Sequence, residues 1–255
     1  MGAPRWLELD GTANCRELGG LPLHGGGSTR SGVLLRSDAL HDLTDADVAL
    51  LTGTWGVRHV IDLRAAGERA ERGRGRLAAA GVCYSELEVF SDAVLAERRA
   101  AHAGAGTLTE SDSMADAYRF FLEVGAAAFV TALARLAEPD GAPAIVHCAA
   151  GKDRTGVLVA LLLDVAGVRP EAIVEDYAAT AHRLDGIRAK LSALSSYARF
   201  AAEAPATAAA MSADASTMAE LLEWLHAEHG GAAGWFRAAG APEAHLNAWA
   251  VRLAG

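Results

Sequence analysis

The chain has 255 residues, of which 51% are hydrophobic and 22% charged. That is enough apolar material for a full core in one domain over residues 1–255, and it excludes a disordered chain. A formal net charge of −9 argues against nucleic acid or an anionic membrane surface as partner, so any anion must be drawn in by a local site.

In chain order, residues 21–23 and 33–36 flank the turn cluster Gly25-Gly26-Gly27-Ser28 and predict a hairpin-like pair. Thr44 is a candidate N-cap for a helix over 45–52, with Asp45 and Asp47 suiting its first turn. Residues 57–63 (VRHVIDL) predict a strand, 82–87 a weaker one, and 143–147 (PAIVH) a buried one with Pro at its mouth. Residues 114–137 predict a long helix that Gly125 weakens or kinks. Residues 155–166 are apolar almost all round, which predicts a central buried helix stopped by Gly167. From Pro170 onward the chain reads as nearly all helical, with Pro170 and Pro242 at helix starts and Trp224, Trp235 and Trp249 in the tail core.

Strands alternating with helices, followed by helices alone, predict an α/β fold: a mostly parallel central sheet flanked by helices, with a helical C-terminal part. Segments 90–113 and 178–216 fit that core poorly and read as lids over a site or as solvated surface helix. No apolar stretch follows the first ten residues, and the longest apolar run, 157–163, is short. Neither a signal peptide nor stable membrane insertion is expected. The three cysteines, Cys15, Cys83 and Cys148, have no CxxC or zinc-type spacing. A reducing, cytoplasmic location is the default expectation, with Cys15 and Cys83 as small buried hydrophobes.

The informative string is His147-Cys148-Ala149-Ala150-Gly151-Lys152-Asp153-Arg154-Thr155-Gly156. It joins a buried strand to a buried helix, the place where α/β sheets put ligands. Backbone N–H groups from Ala149 through Arg154 can converge there on one anion, aided by the helix dipole. The same array favours a thiolate, so Cys148 is the candidate nucleophile. Arg154 can grip two phosphoryl oxygens with its planar fork, a geometry that lysine cannot reproduce. Ala149, Ala150 and Gly151 let the backbone approach the oxygens closely, and Gly156 closes the string. Thr155 can donate its hydroxyl to the thiolate as it leaves, and His147 orients the loop. A Walker-type nucleotide loop fails, because Val146 and Asp153 stand where it needs Gly and Ser or Thr. His226 and His229, with no carboxylate beside them, read as surface histidines, and the charged cluster over 69–76 as a solvated turn.

The string resembles the HC-x5-R signature of the protein tyrosine phosphatase superfamily, and its GKDR variant is similar to a bacterial and fungal branch of it. Asn14-Cys15-Arg16-Glu17-Leu18-Gly19-Gly20, Arg36-Ser37-Asp38, Ile61-Asp62-Leu63-Arg64 and Asp176-Tyr177 are similar to that branch as well. The resemblance implies the cysteine-phosphatase fold and a phosphocysteine intermediate, with no metal and no cofactor. It implies a phosphotyrosine, phosphoserine or phosphothreonine protein or a phosphoinositide as substrate, and inorganic phosphate as product. It maps the general acid onto Asp153; by position in the chain, Asp38 after a candidate strand, Asp62 at the end of another and Asp92 in the possible lid are competitors. Lys152, by the same analogy, contacts a second phosphate or an inositol ring. The rival reading is a phosphate-binding module that does not turn over.

Overall fold

The structure is a computed structural model that describes residues 4–91, 93, 94, 97, 113–193 and 212–254. Among the described residues, six short strands form one sheet: β1 Arg5–Trp6, β2 Arg16–Glu17, β3 Leu34–Ser37, β4 His59–Asp62, β5 Cys83–Glu86 and β6 Ala144–His147, in the order β1-β2-β3-β6-β4-β5. β6 runs parallel to β3 and β4, and β4 parallel to β5, while β1 and β2 add antiparallel pairs at one side. The mostly parallel α/β sheet expected from the sequence is therefore present. The central strands are buried on both faces, as parallel strands under helices must be. Leu34, Ile61 and Val146 point into one cluster and Leu35, Val60 and Ile145 into the other.

The thinner layer holds α1 (Asp45–Ala49), which Thr44 and Asp47 start with a reciprocal capping box, and α2 (Ala66–Arg72) follows β4. The thicker layer holds α3 (Met114–Val124), α4 (Ala126–Ala137), α5 (Asp153–Val165), α6 (Pro170–Ala179), α8 (Ala215–His229), α9 (Ala232–Ala238) and α10 (Glu243–Ala254), while α7 (Leu184–Ser192) packs in a separate small cluster. α5 is the axis of the thicker layer: every residue from Thr155 through Leu163 is buried. Trp249 on α10 donates its indole N–H to the Leu162 carbonyl at 2.9 Å, tying the tail to that axis. Trp235 is also buried, whereas Trp224 is only half-buried.

Several expectations are corrected. Residues 21–23 make only isolated bridges, Pro22 to Ser28 and Leu23 to Val168, and β3 pairs instead with β2 and β6. Over 114–137 the kink expected at Gly125 is there, but it is sharp enough to make two helices meeting at 73°, with Gly125 against Val89 and the Phe121 carbonyl where a Cβ would not fit. Cys83 is exposed, since β5 is an edge strand, whereas Cys15 is buried. His226 does have a carboxylate beside it, Asp164 at 2.9 Å, contributed by α5. Part of the proposed second lid is ordered: a 3-10 turn over Thr180–Arg183 leads into α7, and residues 194–211 lie outside the described residues. So does most of the first lid, including Asp92.

Candidate active site

β6 ends at His147 and α5 begins at Asp153, two residues earlier than the apolar pattern predicts. Asp153 and Arg154 thus sit in the first helical turn, and residues 148–152 cross the C-terminal edge of the sheet. What sets this crossing apart is where its carbonyls go. His147 Nδ1 lies 3.2 Å from the Cys148 carbonyl; since that oxygen can only accept, the ring proton is on Nδ1. Ala39 N–H donates to the Ala149 carbonyl at 3.0 Å. Asn14 Nδ2 donates to the carbonyls of Ala150 and Gly151 at 3.2 and 3.3 Å, and Arg36 Nη2 to Gly151 at 2.8 Å. Gly156 N–H closes on the Lys152 carbonyl at 2.8 Å.

With five successive carbonyls held from outside, the N–H groups face inward. Those of Ala149, Ala150, Gly151, Asp153 and Arg154 donate to no protein acceptor among the described residues. Such an array is a built anion cradle. Cys148, at the start of this loop, is 2% exposed. Gly151 is obligatory, with φ at 67° and the Ser37 carbonyl 2.4 Å from where its Cβ would stand.

Beneath the cradle is a buried ionic cluster. Asp176 receives Arg16 Nε at 2.7 Å and Arg36 Nη1 at 2.5 Å, while Arg16 Nη1 donates to Asn14 Oδ1 at 2.6 Å. Burial pushes the Asp176 carboxyl up, but Arg16 and Arg36 outweigh it and hold it below the usual range. Burial and the neighbouring Arg36 bring Arg16 down to about 10. Two guanidinium groups on one carboxylate leave net positive charge under the loop. Asp38 holds the Ala13 and Asn14 N–H groups at 3.0 and 2.9 Å and pairs with Lys190 at 3.1 Å, which makes it an anchor of this underside.

At the rim, Arg154 is already oriented. Its Nη1 and Nη2 bind the two oxygens of Glu68 at 2.5 and 2.9 Å, and Nη1 also reaches the Leu63 carbonyl at 3.3 Å. Burial disfavours the guanidinium charge, but Glu68 overrides it and drives the Arg154 pKa up. These bonds use the end of the fork. The side of the fork, Nε–H with the second Nη2 hydrogen, makes no bond among the described residues and can take two oxygens at once. Glu68 also caps α2 through Ala65 N–H at 2.7 Å.

Asp153 Oδ1 accepts from the Tyr118 hydroxyl at 2.7 Å and lies 3.3 Å from Lys152 Nζ, which donates to the Ser212 carbonyl at 2.8 Å. Asp62 is different. Its carboxylate is fully buried and clasped by Arg64, and although burial pushes it up, His147 and Arg64 hold it at about 2. A group that acidic carries no proton to give near neutrality. Burial lowers the His147 pKa against the pull of Asp62, and the ring's bond to the Cys148 carbonyl makes it a prop for the loop. Thr155 Oγ1 is buried and makes no hydrogen bond among the described residues. Ile187 and Leu191 of α7 pack on Ala149 and Ala150, placing that helix against the cradle.

The structure thus brings together Cys148, Ala149, Ala150, Gly151, Lys152, Asp153, Arg154, Thr155, Gly156 and His147. Sequence reasoning missed Glu68 and Tyr118. The only sign of Glu68 was its place three residues after the residue that precedes α2; the sign of Tyr118 was a phenol on the buried stripe of α3, which needs a polar partner.

Fold and site together define an α/β protein with a buried cysteine opening a strand-to-helix loop whose carbonyls are held from outside. The tyrosine phosphatase family model matches residues 7–255, and the chain belongs to that family. It is accordingly a protein-tyrosine phosphatase, a hydrolase of phosphorylated substrates. A tyrosine-protein phosphatase of Nostoc commune is 30% identical over 222 residues, covering 86% of this chain and 73% of the relative. The triple specificity protein phosphatase PtpB of Mycobacterium tuberculosis is 31% identical over 211 residues, 72% of each. The core catalytic domain of the PP-IP phosphatase SIW14 from S. cerevisiae, solved with citrate, aligns with a TM-score of 0.37 at 14% identity, covering 72% of this chain and 94% of that one.

Proposed function

We propose that the enzyme hydrolyses phosphotyrosine in protein substrates through a cysteinyl-phosphate formed on Cys148. The observation that carries this reading is the loop itself: N–H groups without protein acceptors and the unused side of the Arg154 fork belong to the same ten-residue crossing as a recessed cysteine. Three phosphoryl oxygens then have donors waiting that need no rearrangement as charge builds up. The Cys148 thiolate attacks phosphorus, and the bond to the ester oxygen breaks as Asp153 gives that oxygen a proton. Water next attacks the cysteinyl-phosphate, losing a proton to Asp153. Inorganic phosphate leaves and the thiolate is restored, with the Thr155 hydroxyl donating to it.

Depth favours the aryl ester. A thiol 2% exposed is reached by a phosphate carried on a flat phenyl ring, whereas phosphoserine holds its phosphate one methylene from the main chain. The competing substrate, a phosphoinositide, draws support from Lys152, a second cation at the rim.

Cys148→Ser should lose turnover while still binding phosphate, because the hydroxyl does not ionise at neutral pH. Arg154→Lys should lose several hundred-fold, roughly the 10²–10³ typical of a missing transition-state donor. More than a few per cent of activity left in Cys148→Ser would overturn the mechanism. Comparison of kcat/KM on a phosphotyrosine peptide, a phosphoserine peptide and short-chain phosphoinositides tests the substrate. A higher value on the inositide would replace the protein reading.

A further inference from the structure

Tyr118 is a fully buried phenol on α3, with its hydroxyl aimed at the rim of the cradle. A buried hydroxyl is costly unless paired, and this one is paired twice: with Asp153 Oδ1 at 2.7 Å and with the Tyr177 hydroxyl at 2.7 Å. The order of protons follows from valence. The Asp153 carboxylate can only accept, so Tyr118 gives it its one proton, and Tyr177 must donate to the Tyr118 oxygen. Both phenols stay protonated, since burial and the nearby Asp153 push their pKa values upward. Packing keeps the pair in place, the two rings meeting edge to face at 6.0 Å. Gly156 is part of the same design, because a Cβ there would stand 3.1 Å from the Tyr177 ring.

We propose that Tyr118, backed by Tyr177, is a positioning residue that holds Asp153 by Oδ1 and leaves Oδ2 to carry the proton for the departing ester oxygen. The inference rests on Asp153 being the general acid. Oδ1 also faces Lys152 Nζ at 3.3 Å, so donors crowd it and a proton is kept off it. No bond to Oδ2 is made among the described residues, and it is the oxygen free to turn toward the cradle. The need for a tether is plain from its surroundings. Asp153 sits in the first turn of α5, partly exposed, beside the Lys152 and Arg154 cations, either of which could draw the carboxylate out of line. A hydroxyl from a separate helix, fixed by a second hydroxyl, removes that freedom. Effects of this kind are large because a misplaced group loses most of its catalytic value.

The test measures kcat and KM for aryl phosphates of rising leaving-group pKa, in wild type, Tyr118→Phe, Tyr177→Phe, Asp153→Asn and the Tyr118→Phe/Asp153→Asn double variant. Tyr118→Phe should lose about tenfold in kcat on phenyl phosphate, the worth of one hydrogen bond to a charged group, with KM within about twofold. On nitrophenyl phosphate, whose phenolate departs unaided, the loss should stay within about threefold. Tyr177→Phe should move in the same direction by less, and the double variant should be no slower than Asp153→Asn. Equal slowing of all esters by Tyr118→Phe, or additive losses in the double variant, would overturn the inference. If Tyr118→Phe folds poorly in a thermal melt, Tyr177→Phe decides, and an unchanged leaving-group slope there overturns it. An unchanged slope in Asp153→Asn removes the general acid itself, a separate failure from a steep Asp153→Asn with a flat Tyr118→Phe.

Discussion

The underside and the rim of the cradle solve different problems with the same chemistry. Under the loop, Arg16, Arg36 and Asp176 form a closed ionic cluster in which the arginine side chains are 1% exposed and the carboxylate 6%. At the rim, Arg154 and Glu68 form an equally short pair, yet they are 12% and 19% exposed and leave donors unspent. The underside fixes backbone carbonyls, a task without moving parts, so all of its guanidinium donors except the buried Arg36 Nε are aimed at protein acceptors. The rim has to trade partners as phosphate arrives and leaves, so its groups are tethered at one end only. Burial of a salt bridge thus tells where geometry is being set, and an unspent donor beside a partly exposed pair tells where a ligand is expected.

The comparison predicts opposite outcomes for removing one carboxylate from each region. Asp176→Asn leaves two guanidinium groups buried without their counter-charge, a change that costs roughly 3–5 kcal/mol. For a chain of this size that lowers Tm by about 10 °C. Because Arg36 also holds the Gly151 carbonyl, kcat should fall in the protein that remains folded. Thermal melts and kinetics on nitrophenyl phosphate check both. A variant as stable as wild type would show that the cluster is a passenger.

Glu68→Gln should do the reverse. The amide keeps a contact with Arg154 but loses the second charged bond that aims its fork, so kcat/KM should fall about tenfold with Tm within about 3 °C. A Tm loss matching that of Asp176→Asn would erase the distinction between the two regions.

Much of this was legible in the chain, for reasons that separate what is local from what is not. β6 and α5 stand out because strand and helix runs buried on all sides are apolar without interruption, and the loop between them carries its chemistry in ten consecutive residues. The cap at Thr44 is equally local. β1 and β2 have two residues each, too short to show an alternation, and they exist because β3 offers them an edge. Glu68 and Arg154 are 86 positions apart and Tyr118 and Asp153 are 35 apart, so only the fold reveals their meeting. Cys83 was misread because a small apolar residue in a strand looks buried until the strand proves to be an edge.

The two regions also differ in how they respond to acid, the smallest of the expected effects at working pH. Asp176, Asp62 and Glu68 all have folded-state pKa values below their unfolded ones, Asp62 at about 2, because neighbouring cations outweigh burial. A depressed carboxylate contributes stability that is fully present above its unfolded value of about 4, and that contribution is lost as pH falls through the folded value. Tm should therefore hardly move between pH 7 and about 5 on account of these groups, and should drop between about pH 4 and 2. In Asp176→Asn that drop should be shallower, since one contributor is already gone, and Glu68→Gln should change it less because its pair is partly solvated. A melt series showing the same acid slope in wild type and Asp176→Asn would mean that protons enter elsewhere first, and that the buried cluster is not what acid attacks.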